Sequence, residues 1–284
     1  MSNTIGSMLC PRCGKLISKN AQECIHCGLK NPGGPAGAPE GLQNLLHGNF
    51  SYISGLFTTC VALFVISLLL NPAALFQMQG GSVFGMLFSF LSPDQYVLFS
   101  LGMTGRVPVF SAGHWWSVIT AIFLHGSLLH IVFNMYWLRQ VGPLMEELYG
   151  PARFFIIFMV SGILGFLVSS LFNDFTLGAS GSILGLIGAA VYYGRDRGGV
   201  YGMEMYRQFG QIAIFLLIFG LVFAGVDNFA HAGGFAGGYL SAMVLKYRER
   251  ATETPLHNKV AMALLSLTVL AFGFAAFSLL STLF

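Results

Sequence analysis

Few side chains in this 284-residue chain can do chemistry in apolar surroundings, and most of them fall in three places. His125, His130 and Asn134 lie in one apolar stretch; Gly178-Ala179-Ser180-Gly181-Ser182 opens a second; His231-Ala232-Gly233-Gly234, followed by Gly237-Gly238, opens a third. A serine hydroxyl is a weak nucleophile until an imidazole within hydrogen-bond reach takes its proton. Ser180 with His231 as general base therefore reads as nucleophilic catalysis. On a helix His130 and Asn134, four residues apart, share one face, which suits two side-chain donors for a developing oxyanion. His125 is rotated about 140° from His130 at about 100° per residue, so it points elsewhere and is expected to hydrogen-bond to loop backbone. The two histidines lack the intervening Glu of a His-Glu-x-x-His helix, so no catalytic metal is expected.

A different chemistry sits near the N-terminus. Cys10-Pro-Arg-Cys13-Gly and Cys24-Ile-His-Cys27-Gly are two Cys-x-x-Cys knuckles with ten residues between them. Each knuckle turns two thiolates toward one point, and two knuckles complete a tetrahedral sulfur shell for a structural zinc. His26 lies inside the second knuckle, but four cysteines already close the shell. A segment this small builds no core without metal, so residues 1–30 read as a zinc ribbon whose role is binding or regulation, through a protein partner, and not chemistry. Residues 31–50, with Pro32, Gly33, Gly34, Pro35, Gly37 and Pro39, read as a flexible tether. Cys60 falls in an apolar stretch and reads as a small buried residue.

The elements that must position Ser180 and His231 are set by composition. The chain is 55% hydrophobic and 9% charged, with a mean hydropathy of +0.71, far from the roughly 25% charged residues of a soluble domain. Apolar stretches long enough to span a bilayer run over Tyr52–Leu70, Trp116–Leu138, Phe154–Phe172, Leu177–Tyr193, Phe209–Val226, Phe229–Leu245 and Val260–Phe284. The shorter run Val83–Leu91 reads as interfacial or re-entrant. Placing the N-terminus in the cytoplasm leaves every one of the 14 Lys and Arg residues inside except Arg106. The net charge of +3 then reports topology. No basic patch interleaves with exposed aromatics, so no nucleic-acid partner is expected. No short apolar signal core precedes the first span. A reduced cytoplasmic cysteine site with this charge bias suits a bacterial plasma membrane.

With that topology the second, fourth and sixth spans all begin toward the outer face. Ser180 and His231 lie a few residues below it, and His130 is expected deeper, roughly fourteen residues into Trp116–Leu138. Gly181, Gly185 and Gly188 in the fourth span, and Gly234 and Gly238 in the sixth, repeat at three- and four-residue spacing. Bare faces of that kind let two helix backbones touch. Asp227, just before the sixth span, reads as its N-cap and not as a third catalytic residue.

These motifs resemble the rhomboid family of intramembrane serine proteases from about Ser51 onward: Gly178-Ala179-Ser180-Gly181 for its Gly-x-Ser-Gly, His125, His130 and Asn134 for its His-x4-His-x3-Asn, and His231 to Gly234 for its His-x-Gly-Gly. The resemblance implies an all-α polytopic membrane protein with a six-helix core. The seventh, C-terminal helix is an addition, so residues 51–284 form the protease domain. It also implies a Ser180–His231 dyad without a carboxylate, oxyanion help from His130 and Asn134, no catalytic cofactor, and hydrolysis of single-span membrane proteins within the lipid bilayer. Two positions depart from the pattern. Trp115-Trp116 stands where the first loop often carries Trp-Arg, and Leu184 stands where many members place an aromatic residue. The rival reading is an inactive relative that binds transmembrane clients. It has no need of Ser180, His231, His130 and Asn134 together, since polar groups in a span are costly. A transporter would show mid-span breaks and paired repeats.

Overall fold

Short knuckles and long apolar runs give two kinds of structure in one chain. The computed structural model describes residues 7–10, 13–18, 21–28, 51–72, 89–223 and 225–281. The expected tether (31–50) and most of Val83–Leu91 lie outside these residues. The chain divides into two units, Met1–Gly55 and Leu56–Phe284.

In the first unit β1 (Ser7–Leu9) and β2 (Leu16–Ser18) pair antiparallel, Met8 opposite Ile17. Each knuckle closes a tight turn, Gly14 N–H donating to Cys10 O at 2.8 Å and Gly28 N–H to Cys24 O at 2.9 Å. Both glycines take positive φ, 68° and 70°, a conformation that glycine adopts without steric cost.

From Tyr52 onward the chain is helical: α1 (Tyr52–Leu70), α2 (Gln95–Ser100), a π-turn (Val107–Ser111), α3 (Ser117–Thr120), a 3-10 turn (Ala121–Phe123), α4 (Leu128–Tyr149), α5 (Pro151–Ser169), α6 (Ser180–Arg197), α7 (Gly199–Val222), α8 (Asn228–Leu245) and α9 (Pro255–Ser281). Helices α1, α5, α7 and α9 are each long and apolar enough to cross a bilayer, and α3 through α4 adds a fifth candidate, bent by 88°. The protein is an integral, multi-pass membrane protein.

Helices α6 and α8 carry Ser180 and His231 and fall short of that apolarity. Helix α6 is the interior element, while α8 buries one face and exposes Phe229, Leu240, Met243 and Val244 on the other. Every residue from Gly181 to Gly194 is buried, and α6 packs on α8, α5, α7 and α4. The glycine stripes make this possible. A Cβ at Gly238 would run into the Gly185 backbone, and one at Gly188 into the Phe235 carbonyl.

Three boundaries differ from the hydropathy reading. The second span breaks at Leu124–Ser127. Ser127 is extended, and its hydroxyl caps α4 by accepting from His130 N at 3.3 Å. The helix therefore starts at Leu128 and runs to Tyr149, which puts His130 in its first turn and not deep in a span. Arg139, one residue past the expected end of the second span, lies within α4 with its guanidinium over the Phe57 ring. Helix α7 starts ten residues before its apolar stretch, because the polar segment from Gly199 continues the helix with a Glu204–Arg207 pair at 3.0 Å.

At the end of the bundle opposite Ser180, the wholly buried Arg153 donates to the carbonyls of Tyr149, Leu245, Lys246 and Ala251. This fixes the α4–α5 corner to the exit of α8. Helix α9 packs along α5, α3 and α2. Its Phe274 stacks on Trp116 (5.4 Å) and meets Trp115 edge-on (5.8 Å), and His114 also stacks on Trp116, at 4.7 Å. The seventh helix thus holds the first loop through aromatic rings, at the place where a Trp-Arg pair was missing.

Candidate active site

The site forms where three helices begin. Ser180 is the first residue of α6, His231 lies in the first turn of α8 and His130 in the first turn of α4. His231 Nε2 and Ser180 Oγ are 2.9 Å apart. The serine is half-buried and the histidine buried. Helix α8 reaches this position because it lies directly on α5 and α6. A Cβ at Gly165 would stand 2.6 Å from Ala230 O, and one at Gly181 would stand 3.2 Å from the same oxygen. Side chains at either glycine would push His231 away from Ser180.

Nδ1 of His231 has no hydrogen-bond partner among the described residues. Among the described residues no carboxylate hydrogen-bonds that nitrogen. Asp227 instead caps α8, accepting from Ala230 N at 2.9 Å, as its place in the sequence suggested. Ser182 is buried with its hydroxyl unpartnered among the described residues, so of the two neighbouring serines only Ser180 meets an imidazole.

His130 stands on the other side of the nucleophile's turn. Gly178 has φ +125°, and a Cβ there would lie 2.7 Å from both Cε1 and Nε2 of His130. Only glycine lets the chain pass this ring and turn into α6. Gly126 N–H donates to His130 Nδ1 at 3.4 Å, which leaves Nε2 as the protonated nitrogen of the neutral ring, on the side of Gly178. Asn134 is buried one turn further on, its Nδ2 donating to His130 O at 2.9 Å. That bond turns the carboxamide toward its own helix. His125 is buried and packs edge-on against His130, ring centroids 5.1 Å apart.

In the N-terminal unit the sulfurs of Cys10, Cys13, Cys24 and Cys27 all lie within 4.8 Å of one another. Cys10 to Cys27 is 3.6 Å and Cys13 to Cys24 is 3.7 Å. Those gaps are far too long for disulfides, near 2.05 Å. They match the roughly 3.8 Å edge of a tetrahedron with metal–sulfur bonds of about 2.3 Å. The four thiols could hold a metal ion.

A protein-family model described as the Rhomboid domain matches residues 112–248. Among curated proteins the chain is similar to Rhomboid protease GluP of Bacillus subtilis, 32% identical over 59% of this chain and 32% of that protein. It is similar to RHOMBOID-like protein 4 of Arabidopsis thaliana, 32% identical over 56% of this chain and 41% of that one. It is also similar to Rhomboid-like protease 3 of Toxoplasma gondii, 31% identical over 57% of this chain and 63% of that one. The chain thus spans less than two thirds of the length of each of these relatives.

Proposed function

Taking the match of the Rhomboid-domain model to residues 112–248 as premise, we propose that the chain is an intramembrane serine endopeptidase that cleaves transmembrane segments of single-span membrane proteins. The observation that carries the reading is the 2.9 Å approach of Ser180 Oγ to His231 Nε2.

Ser180 Oγ bonds to the scissile carbonyl carbon while its proton passes to Nε2 of His231, whose Nδ1 holds the ring's other proton. The resulting imidazolium returns the proton to the leaving amine, and the C–N bond breaks. Water then attacks the acyl-enzyme with His231 again as base, and Ser180 is regenerated. His130 Nε2–H faces the nucleophile's turn and serves as a side-chain donor for the oxyanion, with Asn134 assisting once its carboxamide leaves the His130 carbonyl. A helical substrate must unwind to reach the serine, so small or helix-breaking residues are expected near the cut. The chemistry needs no cofactor.

For the ribbon, residues 1–30, zinc is the metal that best suits four thiolates in tetrahedral array. It sits on the cytoplasmic side of a bacterial plasma membrane, joined by the tether 31–50 to the protease domain 51–284, and serves a protein partner. An inactive client-binding relative finds no support, since it would not need a serine aligned on an imidazole. The deciding experiment incubates the purified protein, and a Ser180→Ala variant, with a panel of single-span model substrates. Cleavage by the parent alone is expected, and cleavage by both would remove the proposal.

A further inference from the structure

Asp227 does more than a helix cap requires. A cap needs one carboxylate oxygen, and Oδ1 supplies it to Ala230 N at 2.9 Å. The same oxygen also accepts from Asn173 Nδ2 at 2.8 Å. Oδ2 accepts from Thr176 Oγ1 at 2.6 Å and from the Ser169 hydroxyl. These donors come from three segments. Ser169 ends α5; Asn173 and Thr176 lie on the link that enters α6 at Ser180; Ala230 immediately precedes His231.

The link is fastened on its other edge as well. Thr104 and Thr176 exchange two backbone hydrogen bonds, 3.0 and 2.7 Å, and Arg106 N donates to Asn173 O at 2.8 Å. The Arg106 guanidinium grips Asp174 Oδ1 at 2.6 and 2.9 Å. The segment that delivers the serine is therefore held between the first loop and one carboxylate, and that carboxylate also starts the helix that delivers the histidine. A carboxylate offers about four acceptor sites, and four donors occupy them here. No site is left for the imidazole, in keeping with the unpartnered Nδ1 of His231.

Resting on the dyad reading above, we infer that Asp227 is the positioning residue of the active site. By binding Thr176 on one side and Ala230 on the other, it sets the distance between Ser180 and His231. It acts through these two segments and never touches the reacting atoms. Hydrogen bonds to a charged acceptor are about twice as strong as neutral ones, which makes the carboxylate a stiffer junction than a hydroxyl or amide in its place.

The test uses the full chain in detergent. It measures kcat and KM for a single-span model substrate, the rate of fluorophosphonate labelling, and the melting temperature, for Asp227→Ala, Asp227→Asn, Thr176→Val and Ser180→Ala. A misplacement near 1 Å costs on the order of 10²-fold in rate, so Asp227→Ala should lose about that factor in kcat and labelling while KM stays within about 2-fold. Thr176→Val removes one hydroxyl at nearly constant shape. It should lose about 10-fold in the same two rates and melt close to the parent. Asn caps helices as well as Asp, so Asp227→Asn should recover the melting temperature while its rates stay below the parent, because an NH2 group replaces Oδ2. Parental rates in Thr176→Val and Asp227→Asn, or an Asp227→Ala loss that merely follows the folded fraction, would overturn the positioning role. Labelling or cleavage that survives in Ser180→Ala would instead overturn the dyad reading on which it rests.

Discussion

Gly234 lies directly on Gly181: a Cβ built at Gly234 would fall 2.7 Å from the Gly181 carbonyl carbon and 2.9 Å from its Cα. The obstacle is backbone, which cannot rotate away as a side chain can. Replacing Gly234 by Val should therefore force α8 off α6, destabilising the protein by about 1–3 kcal/mol or more and separating His231 from Ser180. A lowered melting temperature together with loss of cleavage is expected. A variant that melts and cleaves like the parent would mean that these helices do not touch in the working protein.

Fluorophosphonate or isocoumarin reagents should label Ser180, and Ser180→Ala or His231→Ala should each abolish both labelling and cleavage. Oxyanion donors are worth less than the nucleophile. Losing one costs roughly 10²- to 10³-fold in soluble serine proteases, so Asn134→Ala should keep measurable turnover. Because Asn134 already bonds its own helix, the smaller end of that range is expected. Labelling confined to Ser182 would show the nucleophile to be misassigned.

The N-terminal unit should bind one zinc per chain, measured by elemental analysis, and Cys13→Ser should lose it. Truncation after Gly41 should leave cleavage of a detergent-solubilised substrate largely intact, and a chelator should not inhibit the truncated protein. Turnover that vanishes on truncation would mean that the ribbon takes part in catalysis.

Phe274→Ala removes the ring that stacks on Trp116 and abuts Trp115. Aromatic pairs contribute about 0.5–1.5 kcal/mol each beyond area, so a drop in melting temperature is expected. Limited proteolysis should show faster cutting near Gly113. Unchanged proteolysis at that loop would show that the seventh helix does not hold it.

What the sequence revealed here was what physics makes local. Two Cys-x-x-Cys-Gly knuckles, glycines at helical spacing and a serine and a histidine at the starts of apolar runs each carry their meaning within a few residues. The depth of His130 was not legible, because hydropathy runs straight through Trp116–Leu138 and a cap made by one serine, Ser127, leaves no mark on an average. The junction at Asp227 was half legible. Its capping role follows from its place before α8, but its bonds to Ser169, Asn173 and Thr176 join residues more than fifty positions away. The partner of Trp116 was hidden for the same reason, since nothing near it in the chain points to Phe274.

The break before Leu128 gives α4 a start inside the bundle, beside the starts of α6 and α8. Aligned peptide dipoles give each helix the equivalent of about half a positive elementary charge at that end. Three such ends meet around Ser180, where the protein interior screens charge far less than water does. A tetrahedral oxyanion formed there enters a field already positive before any side chain moves. Because that field is built from backbone, salt in the medium and single side-chain replacements should leave most of it in place.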